Sequence, residues 1–108
     1  MARSRLSIET DLEGPAPCLR LIGDFDSWHI DDFDAAVREV LTTGPVPCLV
    51  LDLSRLEFLS SMGLSGLLRV RALVDDVTLA DCHPRVRRTL EIAGLAEFFT
   101  FKDDEQDE

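Results

Sequence analysis

Leu51-Asp-Leu-Ser-Arg-Leu-Glu-Phe-Leu-Ser-Ser-Met-Gly-Leu-Ser-Gly-Leu-Leu68 passes from a strand into a helix and sets two adjacent serines at the join. Upstream, Pro47 to Leu53 is a short apolar run bounded by proline and polar residues, the pattern of a strand buried on both faces. Downstream, Leu64, Leu67 and Leu68 recur at helical spacing. Ser60 and Ser61 fall at the turn between them. A serine at a helix start caps free backbone N–H groups, and on local sequence alone this is the plain expectation for Ser61. A phosphate placed there would meet the same donors and the positive end of the helix dipole.

Outward from this junction the chain alternates strand and helix. Leu6 to Thr10 alternates apolar and polar residues as a half-exposed strand does, and Glu13-Gly-Pro-Ala-Pro17 breaks it before a second strand at Cys18 to Ile22. The two strands are expected to pair as an antiparallel hairpin. Ile30, Phe33, Ala36, Val37, Val40 and Leu41 predict a helix over Asp31 to Leu41, with Asp31, Asp32 and Asp34 at its positive end and Gly44 beyond its other end. Leu49 to Leu53 is the central strand, and a helix runs from Leu64 to about Leu73, ending abruptly at Asp75-Asp76. A strand follows at Val77 to Ala80. Pro84 opens the last long helix, which is expected to bury Val86, Leu90 and Ala93 and to stop at Gly94, with Leu95 folding back onto it. Strands alternating with helices imply parallel crossovers, so the sheet is mixed.

These residues, in this order, resemble the STAS domain of bacterial anti-sigma factor antagonists. The signature of that family is an aspartate, two hydroxyl residues, glycine and leucine after a buried strand. Anchoring on Phe58-Leu59 and Gly63-Leu64 needs no gap and puts Ser61 on the family's phosphoacceptor serine. Ser60 then stands at its usual aspartate and Met62 at its second hydroxyl. Cys18-Leu-Arg-Leu-Ile-Gly-Asp-Phe-Asp26 is similar to the family's second strand and its Gly-Glu-Leu-Asp turn, here Gly23-Asp24-Phe25-Asp26. Val77 to Pro84, followed by Val86, Leu90, Gly94-Leu95 and Phe98-Phe99, looks like the last strand-and-helix unit, so the resemblance runs from about Leu6 to Phe101.

The resemblance implies an α/β fold: one STAS-like domain over residues 1–102, with a mixed central sheet of four to five strands and helices packed mainly on one side. It implies an antagonist that binds an anti-sigma factor of the serine-kinase type by partner switching and frees a sigma factor. Phosphorylation at Ser61, with Ser60 as second choice, turns binding off. ATP would belong to that kinase rather than to this chain, which is expected to carry no cofactor, and a phosphoserine phosphatase is a further implied partner. The partner-binding residues carried over are Asp24, Asp26, Ser60, Ser61, Met62, Gly63 and Leu64. Asp26, at the same end of the sheet, is placed to orient Ser61 and to repel its phosphate. A second reading of the same fold is a constitutive adaptor or transporter-associated subunit, in which the Ser60-Ser61 turn is an interface that is never phosphorylated.

Composition bounds these readings independently. At 108 residues the chain has the size of one small domain. It carries 21 acidic residues against 11 basic ones, a formal charge of −10, which argues against an electrostatic grip on nucleic acid or an anionic membrane and for a basic or mixed protein partner. Asp103 to Glu108 has five acidic residues in six and no apolar residue, and is expected to be a solvated, disordered tail. No apolar stretch approaches the roughly 18 residues of a transmembrane helix, and no apolar core follows Arg3 and Arg5, so a cytoplasmic location is expected. Cys18, Cys48 and Cys82 are expected to be small buried thiols.

No metal site is expected. His29 and His83 lack a ligand companion at useful spacing, and Asp24, Asp26, Asp31 and Asp32 do not follow a calcium loop. No serine-histidine-acid spacing appears, and Gly63-x-x-Gly66 is too weak to count as a phosphate loop, so an enzyme is not expected. Trp28, Leu59 and Met62 are expected to pack in the core; exposed, Met62 would be a soft apolar knob suited to an interface. With the apolar positions used by one core, the free chain is expected to be a monomer.

Overall fold

The computed structural model describes residues 5–102, so the acidic segment 103–108 lies outside the described residues. The elements run β1 (Leu6–Asp11), β2 (Cys18–Phe25), α1 (Ile30–Leu41), β3 (Cys48–Leu59), α2 (Ser61–Leu73), β4 (Asp76–Ala80), α3 (Pro84–Ile92) and β5 (Thr100–Lys102). Short 3-10 turns occupy Ser27–His29 and Ala96–Phe98. The strands lie in sequence order across one five-stranded sheet, with β1 antiparallel to β2 and every other pair parallel.

Three right-handed crossovers stepping the same way across a sheet put their helices on one side of it. The burial agrees. Leu19 and Leu21 of β2, Leu49, Leu51 and Leu53 of β3 and Leu79 of β4 are fully buried with Phe33, Leu67 and Leu90 of the helices. Their neighbours Cys18, Arg20, Cys48, Val50 and Asp52 point the other way and are only half-buried. The central strand is therefore covered on one face rather than two, and its uninterrupted apolar run conceals an ordinary inward and outward alternation. The same placement makes Cys18 and Cys48 half-buried instead of buried, and Cys82, in the loop between β4 and α3, is half-buried as well.

Across the open face the register sets Glu9 opposite Arg20 and Arg20 opposite Asp52. Arg20 donates to Glu9 at 3.0 Å and to Asp52 at 3.2 Å. Burial works against the Asp52 charge, but the N–H and hydroxyl of Ser54 together with the Arg20 guanidinium outweigh it and hold the carboxyl below its usual range. Burial, then the nearby Asp52 carboxylate, pushes the Cys18 thiol up.

β3 runs to Leu59, well past the expected end at Leu53. Its buried residues change from a spacing of two to a spacing of three at Leu53, Leu56 and Leu59, where the pairing with β2 shifts register. Beside the shift, Gly23 holds φ at +107°, and a Cβ there would come within 2.3 Å of the Arg5 carbonyl oxygen. The next residue, Asp24, donates its N–H to that same oxygen at 2.8 Å.

The helices follow their sequence signals closely. α1 buries Ile30, Phe33, Val37 and Val40, with Ala36 and Leu41 half-buried at the edges of the stripe, and carries Asp31 and Asp32 in its first turn. α2 stops at Leu73 and β4 begins at Asp76, giving the abrupt end expected at Asp75-Asp76. Pro84 opens α3, where His83 Nδ1 accepts from the Arg85 N–H at 3.1 Å. At the other end Gly94 takes φ +76°, and the Leu95 N–H reaches back to the Leu90 carbonyl at 2.9 Å. Ala93 is exposed rather than buried, because α3 ends at Ile92 and the chain turns away before Ala93 completes the apolar stripe.

Candidate functional site

β2 and β3 end side by side, with Asp24 paired to Phe58 and Phe25 to Leu59. The Ser60 N–H donates to the Phe25 carbonyl at 3.0 Å, which fixes the point where β3 gives way to α2. Ser60 remains extended, with φ −84° and ψ 174°, and its Oγ accepts from the Gly63 N–H at 3.1 Å. Ser60 is thus the N-cap, and the expectation that Ser61 caps the helix is corrected by one residue. Ser61 is the first helical residue and is exposed. Its hydroxyl is left for other chemistry at the positive end of the dipole.

The helix comes this close to β2 because two of its residues have no side chain. A Cβ on Gly63 would lie 2.7 Å from both the Phe25 carbonyl oxygen and Leu59 Cδ1, and a Cβ on Gly66 would lie 2.9 Å from Phe25 Cζ. Phe25 is fully buried and packs on Phe33 at 4.8 Å between ring centroids. The Gly63-x-x-Gly66 spacing is therefore a packing device. Gly63, placed among the partner-binding residues, is buried and serves the site by holding the first turn of α2 in place, while Leu64 is half-buried.

Asp26 is half-buried beside this junction and caps the 3-10 turn that follows β2. Its Oδ1 accepts from the Trp28 N–H at 3.1 Å and lies 3.8 Å from His29 Nε2. That turn lifts Trp28 out of the core: it is 66 % exposed, against the expectation that it packs inside. Met62 is also exposed, at 46 %, while Leu59 is buried as expected. Phe58 joins them at 53 %, so three large apolar side chains face solvent on the segments that bracket Ser61. Phe58 was not singled out from sequence. Its signal lies in the three-residue spacing of Leu53, Leu56 and Leu59, which turns the intervening Phe58 outward. Among the described residues no three acidic, histidine or cysteine side chains gather as a metal site would need.

The geometry is that of an exposed serine on a fixed helix start, with the exposed Phe58 and Met62 close to it in the chain. The family model described as STAS domain matches residues 7–108. The chain belongs to the STAS domain family. Its fold is similar to that of an anti-sigma factor antagonist from Mycobacterium paratuberculosis (23 % identity, TM-score 0.81, covering 91 % of this chain and 86 % of that one). It is also similar to the anti-sigma factor antagonist SpoIIAA in its unphosphorylated form (20 % identity, TM-score 0.73, covering 92 % and 90 %). The Bacillus cell fate determinant SpoIIAA in the phosphorylated form matches as well (18 % identity, TM-score 0.69, covering 92 % and 94 %). Among the described residues no helix is long and apolar enough to cross a membrane.

Proposed function

We propose that this STAS domain is an anti-sigma factor antagonist: a non-enzymatic module that binds an anti-sigma factor of the serine-kinase type and is released when Ser61 is phosphorylated. The observation that carries the reading is the division of labour between the two serines. Ser60 makes the cap, so Ser61 stands exposed in the first turn and its side chain is not the one that caps the helix. A phosphate there adds about −1.5 to −2 charge and three acceptor oxygens where N–H donors and the helix dipole favour an anion. The fold can thus tolerate the modification. A partner seated on Trp28, Phe58 and Met62 cannot, because it would have to desolvate the new charge or face it with its own carboxylates.

The test is binding to the cognate anti-sigma kinase by calorimetry, with wild type, Ser61→Ala and Ser61→Asp. Ser61→Ala is expected to bind as wild type does, and Ser61→Asp to lose about 100-fold, equivalent to about 2.7 kcal/mol. Incubation with kinase and ATP is expected to put one phosphate on wild type and none on Ser61→Ala, read by mass spectrometry. Equal binding by all three proteins would defeat the switch and leave the constitutive adaptor as the better account.

A further inference from the structure

A groove of about 400 Å³ lies between the edge strand β1 and α1. It exists because α1 turns Ile30, Phe33, Val37 and Val40 down onto the sheet and offers only the small Ala35 and Ala36 toward β1, so that Leu6 and Ile8 on the helix side of β1 stay half-buried. These four residues make an apolar floor that ends at Thr10. Asp32 and Glu39 stand exposed on its α1 side, and no base lines it among the described residues. The Asp32 side chain is 74 % exposed, with Oδ2 3.8 Å from His29 Nδ1, and Glu39 pairs with no cation among the described residues. Arg38, next to Glu39 in the chain, lines a different groove with Asp34 and Arg69.

An apolar floor with an acid at two points along one wall matches an apolar segment that carries two cations, and the spacing decides its conformation. Glu39 follows Asp32 by seven residues, two turns of α1 or about 10 Å. A helix lying alongside would hold cations at i and i+7 at the same separation, with its i+3 and i+4 side chains between them on the floor. An extended segment shows one face at every second residue, so its cations fall about 7 or 13 Å apart, out of step with the two acids. We propose that the groove between β1 and α1 docks a basic amphipathic helix of a protein partner, with Lys or Arg seven residues apart on Asp32 and Glu39 and apolar side chains on Leu6, Ile8, Ala35 and Ala36. None of these residues belongs to the Ser61 site. The groove is therefore a second binding surface, independent of phosphorylation, and it gives the basic partner favoured by a formal charge of −10 a defined place to sit.

The experiment is an amide NMR titration of the full chain and needs no kinase, so its outcome is separate from that of the proposed function. The probe is a synthetic peptide of about 16 residues, long enough to hold a helix, with lysines at i and i+7 and leucines at i+3 and i+4. The control peptide has the same composition with its lysines four residues apart. The probe is expected to shift the amides of Ile8, Ala35 and Ala36 to saturation. The exposed-site variant D32N/E39Q is expected to bind about 10-fold more weakly while keeping the core resonances. A35Q, which fills the floor at unchanged charge, is expected to weaken binding about 5-fold or more. Equal binding of the control peptide, or of the probe to D32N/E39Q, would overturn the proposal. So would shifts that spread over the acidic surface without saturating, which report attraction by net charge alone. Groove shifts that grow with protein concentration in the absence of peptide would overturn it too, since the occupant would then be a second copy of the chain.

Discussion

On its inner side α2 lies so close to β2 that Gly63 and Gly66 leave no room for a methyl group against Phe25. On its outer side Ser61, Met62 and Ser65 face solvent within the same two turns. The inner side is rigid because a backbone carbonyl and a fully buried aromatic ring face it, and neither moves without disturbing the sheet or the Phe25–Phe33 pair. The outer side accepts a change of charge because nothing in the domain rests on it. Under the proposed function, this contrast would let chemistry be added to one side of a helix whose other side fixes the backbone, with no conformational change needed to reach a partner.

The strongest way to break this contrast is to add one carbon to the inner side. Gly63→Ala is expected to destabilise the domain by about 1–3 kcal/mol through overpacking, even though alanine is the better helix former by about 1 kcal/mol. Urea unfolding followed by the single tryptophan, Trp28, measures it. A stabilised Gly63→Ala variant would mean that α2 is not clamped and that its first turn can shift.

Ser60 joins the two sides, and its expected effect is smaller. Removing the cap in Ser60→Ala leaves the Gly63 N–H without its partner and is expected to cost about 1 kcal/mol, with an unchanged urea m-value. Ser60→Asp restores an acceptor at the cap and is expected to recover most of that loss. Recovery by Ser60→Asp together with loss in Ser60→Ala separates capping from packing, because aspartate is the bulkier of the two replacements.

Most of the architecture is legible in the sequence because the helices announce themselves by spacing and punctuation. Ile30, Phe33, Val37 and Val40 mark α1, and Pro84 and Gly94 bracket α3. What is not legible is governed by pairing between strands. The second half of β3 reads as a break, because the register shift against β2 replaces its two-residue period by Leu53, Leu56 and Leu59. The same shift hides Phe58. β5, three residues long, has no period to detect and exists because β4 offers it an edge. At the site, the family's alignment led to Ser61 but not to its role in the helix. Only the hydrogen bond from the Gly63 N–H to Ser60 Oγ tells the capping serine from the exposed one. Trp28 and Met62 look like core residues by composition, and become a rim because a 3-10 turn and a helix start happen to face outward there.

The outer side should show the smallest effect on folding and, for that reason, gives the sharpest form of the comparison. Ser61→Ala and Ser61→Asp are each expected to stay within about 0.5 kcal/mol of wild type in unfolding free energy, as for exposed positions without a structural role. The aspartate is favoured slightly by the helix dipole, by about 0.3–0.5 kcal/mol at low salt, and this small gain should fade as salt is raised. The sign is informative, because the substitution expected to weaken binding about 100-fold is then neutral or mildly stabilising to the fold. If Ser61→Asp lowers stability by as much as Ser60→Ala does, Ser61 supports the helix after all. Lost binding would then report a damaged first turn of α2 rather than a charge placed in a partner's way.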